Sequence, residues 1–449
     1  MAPERWIGSP DHYGTADAPG STDDQARAAV EQARASTSAI PSSSQVVAGL
    51  RATTASRGLV ELLTPEGVLT PDERYPLDVT PELLQGLYRD MVLVRRVDRE
   101  GNALQRQGQL AIWVPLLGQE AAQIGAGRAM RQQDFGFPSY REHAVAWCRG
   151  IDPTDLVGLF RGVDHSGWDP VATRFNSYTI VIGNQVLNAT GYAMGQRFDG
   201  KVGTAGGFDT DEATIAFFGD GATSEGDVHE AMVFAAAYDA PIVFYLQNNQ
   251  WAISEPVEKL TRVPLGDRAA AYGFPGVRVD GNDVLGCLAV TRWALDECRS
   301  GNGPVLVEAY TYRMDAHTTS DDPTRYRLAD ETEAWKLLDP IERVRVHLVR
   351  SGLADASFFD AVAVEADELA ARFRSFVRAM PNPSPERMFS NIYSAPHAQV
   401  DRQRAESLAY EASFADASGV SEASFADAPG VSGASFASGA AVAPAGVTR

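Results

Sequence analysis

The sequence predicts an α/β protein in which helices cover both faces of a parallel sheet. Short apolar runs at residues 213–218, 242–246 and Val305–Tyr310 have the composition of buried parallel strands. Residues 224–239, between the first two runs, repeat apolar or small side chains at helical spacing. Because parallel strands need such crossover helices, the alternation of the two patterns predicts this fold class.

Other segments extend the pattern along the chain. Helices are predicted over residues 81–107 and 118–130, and a further strand over 277–279. The helix after the first strand is expected to begin with a capping interaction, since Ser224 lies three residues before Asp227. The chain therefore alternates between helix and strand patterns over most of its length.

The composition excludes several classes of function. The chain has 449 residues, a formal net charge of −20 and a pI near 4.8, which argues against nucleic acids or anionic membranes as partners. No apolar run resembles a signal peptide or reaches the about 20 residues of a membrane span. The three cysteines have neither metal-site nor disulfide-framework spacing. We therefore expect a soluble, cytoplasmic protein with reduced thiols.

The chain is predicted to have three segments. Residues 1–57, rich in Ala, Ser and Thr, are expected to be a flexible extension. Residues 58–405 are expected to form the folded, cofactor-binding domain. Residues 406–449 have the composition of a low-complexity, disordered tail, in which an 11-residue repeat begins at Ala412 and recurs twice.

The most informative pattern is Gly219-Asp220-Gly221 after the first strand, together with Asn248-Asn249 after the second. The carboxyl ends of parallel strands lie at one edge of a sheet, so Asp220 and Asn249 are expected to meet there. A carboxylate and a side-chain amide supply hard oxygen ligands suited to Mg²⁺ carrying a diphosphate. Either residue alone would more often cap a turn, but their joint occurrence favours the metal site.

This pattern contains Ser224-Glu225-Gly226-Asp227 and is followed by Trp251-Ala252-Ile253-Ser254, and it resembles the thiamine-diphosphate motif. Over residues 59–405 the chain is similar to the alpha subunit of the decarboxylating component of 2-oxo acid dehydrogenase complexes. The resemblance implies a thiamine-diphosphate-binding fold. It also implies thiamine diphosphate and Mg²⁺ as cofactors.

The same resemblance implies two groups of residues around the cofactor. The metal ligands would be the side chains of Asp220 and Asn249 and the backbone carbonyl of Trp251. The turn that approaches the phosphates would contain Gly219, Gly221 and Ala222. The two glycines are expected to allow a tight turn and a close approach of the backbone.

Residues 137–143 resemble a family segment that reaches the diphosphate from another part of the sheet. Arg141 would make charge-assisted hydrogen bonds to phosphate oxygens, with the Tyr140 hydroxyl beside it. His143, in the same segment, is expected to have a structural role. A lone arginine is usually a solvated surface charge, so the assignment depends on the resemblance.

Residues 312–327 resemble the active-site loop of the family. His317 would be the catalytic residue, a hydrogen-bond donor and proton carrier as the acyl group passes to lipoamide. Thr318 stands where mammalian relatives carry a phosphorylated serine. Phosphorylation control of this chain is therefore an open question at the level of the sequence.

Weaker similarities concern four further places. Ile182 falls where the backbone of a relative contacts the aminopyrimidine ring, and Gln185 lies close to a region that can hold a monovalent cation. Residues 105–109 and 118–120 resemble segments that line the approach to the site. All four also fit ordinary core or loop positions.

The family resemblance implies that this chain is only half of an active site. Activation of the cofactor needs a glutamate from a second, related domain, and neither terminal segment is long or complex enough to form one. The glutamate would come from a beta subunit in an α₂β₂ heterotetramer. That assembly would dock on a lipoyl-bearing acyltransferase.

The substrate is expected to be a small 2-oxo acid. The segments around His317 and Trp251 resemble branched-chain relatives somewhat more than pyruvate relatives, which favours acids such as 3-methyl-2-oxobutanoate. A pyruvate dehydrogenase is the alternative, and acetoin cleavage is a third. A non-catalytic scaffold is the alternative of another class, and it is disfavoured because a scaffold would not need all of the site residues together.

Overall fold

The computed structural model describes residues 58–204 and 207–418. Contacts divide the chain into two compact units, the first ending at Ala379 and the second beginning at Met380. The predicted extension 1–57 and the later repeats of the predicted tail lie outside the described residues.

The first unit is built on a five-stranded sheet in which every strand runs parallel to its neighbours. A separate antiparallel pair follows the third strand of the sheet. In chain order the strands are β1 Phe135–Phe137, β2 Thr214–Gly219, β3 Ile242–Asn248, the pair β4 Trp251–Ala252 and β5 Glu255–Pro256, then β6 Gly276–Asp280 and β7 Val305–Tyr310. The spatial order of the main sheet is β1-β2-β3-β7-β6. The predicted α/β class, the parallel sheet and its four predicted strands are confirmed.

Helices connect and flank these strands. Those of the first unit are α1 Pro81–Arg106, α2 Glu120–Ala129, α3 His143–Cys148, α4 Pro153–Arg161, α5 Pro170–Thr173, α6 Asn184–Phe198, α7 Gly226–Ala237, α8 Val257–Leu260, α9 Ala269–Tyr272, α10 Val284–Arg299, α11 Ala329–Lys336, α12 Pro340–Arg350 and α13 Ala356–Ala379. The second unit contains α14 Ala398–Ser418. The helices predicted over 81–107 and 118–130 correspond to α1 and α2.

Helices cover the sheet on both sides because its side chains alternate between two faces. Phe218 of β2 belongs to one apolar cluster with Val186 of α6 and Ala231 of α7. Tyr245 of β3 faces the other side, where its hydroxyl donates a hydrogen bond to the carbonyl of Ala122 in α2 at 2.8 Å. All residues of β3 are buried, as expected for a parallel strand covered twice.

Two local predictions are wrong. The first residue of α7 is preceded by Glu225, and no side chain caps this helix, so Ser224 and Asp227 do not form the expected capping interaction. Ser224 is instead part of a 3₁₀ turn, Asp220–Ser224, that continues from β2. The turn displaces the start of the helix by two residues and removes Ser224 from the capping position.

The predicted disorder of the tail does not begin at residue 406. Helix α14 continues into the first copy of the repeat and ends at Ser418. The first copy contains neither glycine nor proline before Gly419, and its alanines favour a helix. Residues 406–418 are therefore helical.

Two further observations concern the cysteines and the hydropathy of the helices. Cys148, Cys287 and Cys298 are free, and burial raises the pKa of each thiol above its usual range. Within residues 58–204 and 207–418, no helix has both the length and the apolar character needed to cross a bilayer.

Candidate functional site

A cavity of about 210 Å³ lies at the carboxyl edge of the sheet, where the loops after β1, β2 and β3 meet. Every residue that the sequence assigns to cofactor, metal or catalysis lines it: Tyr140, Arg141, Ile182, Gly219, Asp220, Gly221, Ala222, Asn249, Trp251 and His317. These residues come from distant parts of the chain. The fold therefore brings the predicted site residues into one place.

Asp220 is the buried carboxylate of the cavity. It follows the last residue of β2 and begins the 3₁₀ turn, which Thr223 closes by donating from its Oγ1 to the carbonyl of Asp220 at 2.7 Å. Its side chain is buried, and burial raises its pKa to about 6. Within the described part of the chain, its Oδ2 has no hydrogen-bond partner. An unpaired buried carboxylate oxygen is costly, so this position suits a cation.

Two other oxygens accompany that carboxylate. Asn249 follows β3, and its Oδ1 accepts a hydrogen bond from the Trp251 amide at 3.2 Å. The carbonyl of Trp251 accepts from Arg313 Nη1 at 2.7 Å and retains a second lone pair. Carboxylate, amide and carbonyl oxygens form the hard donor set that Mg²⁺ prefers.

The cavity also contains two buried guanidinium groups. Arg141 Nη2 donates to the carbonyl of His317 at 3.0 Å, and Arg313 Nη2 donates to the carbonyl of Ile253 at 2.7 Å. Among the ion pairs of the described residues, neither arginine has a carboxylate partner within 4.0 Å, and Arg313 Nε has no hydrogen-bond partner. Burial and the charge of Arg141 lower the pKa of Arg313 to about 10. This uncompensated positive charge favours an anionic ligand.

His317 lies on the loop after β7, and its ring is next to the guanidinium of Arg141. Its Nδ1 is 3.2 Å from Arg141 Nη2, and its ring meets the ring of Tyr140 edge-on at 6.1 Å between centroids. Burial and the charges of Arg141 and Arg313 lower the pKa of His317 to about 3, so the imidazole is neutral at pH 7. A guanidinium can only donate, so Nδ1 accepts and the ring proton belongs on Nε2.

The loop that carries His317 is held by its own hydrogen bonds. The His317 amide donates to Asp321 Oδ2 at 2.9 Å, and the Tyr326 hydroxyl donates to the same oxygen. Arg327 Nη1 donates to the carbonyl of Arg313 at 2.5 Å. These contacts fix the backbone on both sides of the imidazole.

The two glycines of the turn, Gly219 and Gly221, differ in the space around their Cα atoms. Neither Gly219 nor Gly221 has a positive φ, so the turn does not depend on a left-handed backbone. A Cβ on Gly221 would lie 2.9 Å from the Cβ of Ala252, whereas one on Gly219 would meet no protein atom. The close approach of the turn to β4 is thus the reason for glycine at position 221.

The chain matches the family described as "Dehydrogenase E1 component" over residues 88–386, well over half of its length. The chain belongs to this dehydrogenase E1 family. It is 44% identical over 348 residues to a Mycobacterium tuberculosis (strain ATCC 25618 / H37Rv) protein named 3-methyl-2-oxobutanoate dehydrogenase subunit alpha. That alignment covers 77% of this chain and 92% of the relative. The predicted family is confirmed.

Relatives named for another substrate are somewhat more distant. The pyruvate dehydrogenase E1 component subunit alpha of Acholeplasma laidlawii is 38% identical over 283 residues, covering 63% of this chain and 79% of the relative. The protein of the same name from Staphylococcus aureus (strain Mu50 / ATCC 700699) is 37% identical over 297 residues, covering 66% and 78%. E1 dehydrogenase components in general depend on thiamine diphosphate.

The cavity of this E1 chain fits that cofactor. Its unpaired carboxylate oxygen suits a metal, and its unpaired guanidinium nitrogen suits a diphosphate. No group of three or more histidine, cysteine or carboxylate side chains converges on a metal anywhere in residues 58–204 and 207–418. A cation here would therefore take its other ligands from amide, carbonyl and diphosphate oxygens.

The weaker predictions have mixed outcomes. Ile182 lies on the cavity wall and is 43% exposed, while Gln185 is buried and donates from Nε2 to the carbonyl of Phe217 at 2.8 Å. Gln119, within the predicted segment 118–120, also lines the cavity. Residues 105–109 do not line it.

His143 lies outside the cavity lining. Its ring nitrogens lie 2.8 Å from the Tyr178 hydroxyl and 2.9 Å from the Val114 carbonyl, and its ring stacks on Trp113 at 4.8 Å. Burial lowers its pKa to about 3. The surroundings of this histidine are those of a structural residue.

Sequence reasoning assigned no role to Arg313, which lines the cavity. Arg313 holds the carbonyls of Trp251 and Ile253, more than 59 positions earlier in the chain, and so fixes the strand pair that carries a candidate metal ligand. Ile253 has a φ of +56°, which is unfavourable for a β-branched residue. The only indication in the sequence was the position of Arg313 between a strand and the histidine loop.

Proposed function

We propose that this chain is the alpha subunit of a thiamine-diphosphate- and Mg²⁺-dependent 2-oxo acid dehydrogenase that acts on branched-chain acids such as 3-methyl-2-oxobutanoate. The observation that carries the proposal is the pair of unpartnered charged groups that line one cavity, a carboxylate oxygen of Asp220 and a guanidinium nitrogen of Arg313. The name of the 44% identical relative supports the choice of substrate class.

The charges of the cavity assign the residues that would hold the cofactor. Asp220, Asn249 and the carbonyl of Trp251 would ligate Mg²⁺, and Arg141 with the Tyr140 hydroxyl would bind the diphosphate. Bringing a dianion and a dication into this cavity would compensate buried charges that the protein leaves unpaired. The binding energy would thus come partly from relief of an existing electrostatic cost.

Each side chain has a definite part in the reaction. When bound, thiamine diphosphate supplies a carbon nucleophile and an electron sink for loss of CO₂. His317, neutral with its proton on Nε2, would donate a hydrogen bond into the cavity and move that proton as the acyl group leaves for a lipoyl sulfur. Arg141 holds the imidazole from its other nitrogen, which keeps this tautomer in place.

The proposed assembly includes partners. A beta subunit would complete the cavity with the glutamate that activates the cofactor, in an α₂β₂ heterotetramer. A lipoyl-bearing acyltransferase would accept the acyl group. The named subunit alpha relatives support this arrangement, because their names describe one chain of a multi-subunit enzyme.

Pyruvate is the second candidate substrate. The relatives named pyruvate dehydrogenase are 38% and 37% identical, only slightly less than the branched-chain relative. An acetoin dehydrogenase is a more distant alternative. A scaffold without activity is disfavoured, since it would not need unpartnered charged groups of both signs in one cavity.

The test is decarboxylation by the chain co-expressed with a beta subunit, in the presence of thiamine diphosphate and Mg²⁺. We expect a preference of at least about tenfold in kcat/KM for 3-methyl-2-oxobutanoate over pyruvate. The chain alone should turn over neither acid. A preference for pyruvate would reassign the substrate, and robust turnover by the chain alone would contradict the shared site.

A further inference from the structure

Residues 113–118 form a short irregular segment, here called the connector, that joins the site to helix α1. Five of its backbone carbonyls have hydrogen-bond partners elsewhere in the chain, among them Gly118, which accepts from Thr311 Oγ1 at 2.8 Å. Arg141 Nη1 donates to Pro115, and the ring of His143 contacts Val114. The amides of Met314 and Thr319 donate to Leu117 at 3.1 Å and to Trp113 at 3.0 Å.

The partners of the connector are parts of the candidate site. Met314 and Thr319 lie on either side of His317 in the sequence. The connector therefore hydrogen-bonds to the histidine loop both before and after His317. The Thr319 side chain adds to these contacts, because its Oγ1 accepts from the Trp113 amide at 2.9 Å. Arg141 is held by the same segment. A displacement of the connector would therefore move the guanidinium and the imidazole together.

Two buried carboxylates hold the connector. Glu120 accepts from the Gly118 amide at 2.9 Å and is paired with Arg95, whereas Asp98 holds the middle of the segment. Asp98 lies on α1 and is 1% exposed. Its Oδ1 accepts from the indole Nε1 of Trp113 at 2.9 Å and from the amide of Leu116 at 3.1 Å. The indole has little freedom to move, since a Cβ on Gly101 would lie 2.3 Å from its ring. Asp98 thus fixes the connector at two points.

The other buried carboxylates on α1 have arginine partners. Asp90 pairs with Arg128, and Glu100 pairs with Arg96 and Arg374. In the described part of the chain, Asp98 forms no ion pair. Burial raises its pKa to about 7. Burying a carboxylate in an apolar interior without a counter-ion is costly. The two hydrogen bonds that Asp98 accepts offset part of this cost, which ties the carboxylate to the connector.

We propose that Asp98 is a positioning residue, which places Arg141 and the His317 loop by fixing the connector. Asp98 touches neither the cavity nor the residues that would hold the cofactor. The effect of Asp98 on catalysis rests on the proposed function. The structural effect, on the order of the loop, can be measured without activity.

The experiment compares Asp98→Ala with Asp98→Asn and with Asp283→Ala. Asp283 is a matched control, since it is buried, accepts amide hydrogen bonds from Leu62, Leu63 and Leu285, and has a pKa raised to about 6 by burial. It does not contact the connector. All variants are made in the full chain and, for activity, co-expressed with the beta subunit.

Hydrogen exchange of the Met314 and Thr319 amides is the first measurement. We expect exchange about tenfold faster in Asp98→Ala and unchanged in Asp283→Ala. Asp98→Asn should restore protection to within about twofold, because its amide oxygen can accept both hydrogen bonds. Equal effects in Asp98→Ala and Asp283→Ala, or no rescue by asparagine, would overturn the proposal.

Acyl transfer to a free lipoyl domain is the second measurement. It should fall about tenfold in Asp98→Ala at saturating thiamine diphosphate and recover in Asp98→Asn. If the wild-type enzyme is inactive but the variants show the predicted hydrogen-exchange rates, the proposed function is contradicted and the positioning role of Asp98 is not. If Asp98→Ala does not fold, Trp113→Phe removes the indole N–H donor and keeps a smaller aromatic side chain at this position. Unchanged Thr319 exchange in that variant would overturn the inference.

Discussion

Two buried groups of charges in this protein are organised in opposite ways. Arg299 is fully buried, and its guanidinium donates from Nε and Nη2 to Asp134 and from Nη1 to Asp296. In the cavity, Arg313 and Asp220 are also buried, but Arg313 Nε and Asp220 Oδ2 have no partner in the described part of the chain. The first group is complete within the protein, and the second is incomplete.

The difference suggests a way to tell a buried charge that supports the fold from one that is available to a ligand. A buried ion pair with satisfied hydrogen bonds holds its surroundings together, and Asp134 also accepts from the amides of Arg131 and Ala213. A buried charge without a partner raises the free energy of the protein until a ligand supplies one. An unpartnered carboxylate oxygen and an unpartnered guanidinium nitrogen line the same cavity, and this coincidence supports a binding site there without any sequence comparison.

The largest expected effect is on stability in the complete group. Asp134→Ala should lower the free energy of unfolding by about 3–5 kcal/mol, because it leaves two buried guanidinium nitrogens of Arg299, Nε and Nη2, without their carboxylate partner. Asp220→Asn should not lower the free energy of unfolding at pH 7 without cofactor, since it removes an unpaired charge. Urea denaturation of the chain without cofactor measures both. Similar losses in the two variants would show that the groups do not differ.

The next effect compares the two histidines. His317→Ala should slow acyl transfer to a lipoyl domain by about 100-fold while changing the affinity for thiamine diphosphate by less than about fivefold. His143→Ala should instead lower the melting temperature, because both ring nitrogens of His143 have partners within the protein. Single-turnover acyl transfer and calorimetry separate the outcomes. Full transfer activity in His317→Ala would exclude its catalytic role.

A smaller effect concerns pH. The pKa of Asp220 in the folded chain is about 6, above its ordinary 3.8, so the folded state binds this proton more tightly. Its stabilising contribution is complete below pH 3.8 and is lost as the pH rises through about 6. Without cofactor, Asp220→Asn should therefore equal the wild type near pH 4 and exceed it by roughly 1–3 kcal/mol above pH 6. A difference that is constant with pH would contradict the raised pKa.

Much of the fold and of the site could be predicted from local patterns. The buried strand β2 and the Gly-Asp-Gly that follows it are adjacent in sequence, so the position of Asp220 at the sheet edge follows from the strand. The same reasoning applies to Asn249 after β3. Residues at strand ends are predictable because the strand itself fixes their place.

Other features depend on contacts between distant segments. The bond from Arg313 to the Trp251 carbonyl and the bond from Trp113 to Asp98 join elements whose distance no local pattern encodes. The approach of Ala252 to Gly221 is likewise a tertiary contact that the sequence did not predict. The capping of α7 was mispredicted because a 3₁₀ turn occupies the residues that would have capped it. Tertiary geometry decided each of these cases.

The most direct test is calorimetric titration of thiamine diphosphate into the chain co-expressed with its beta subunit, with Mg²⁺ or with a chelator. The account predicts that binding requires Mg²⁺ and weakens at least about 100-fold in Asp220→Ala, because the carboxylate without a partner is the proposed metal ligand. Asp283→Ala, which alters a buried carboxylate outside the cavity, should keep the wild-type affinity. Binding that is independent of Mg²⁺, or unchanged in Asp220→Ala, would contradict the account.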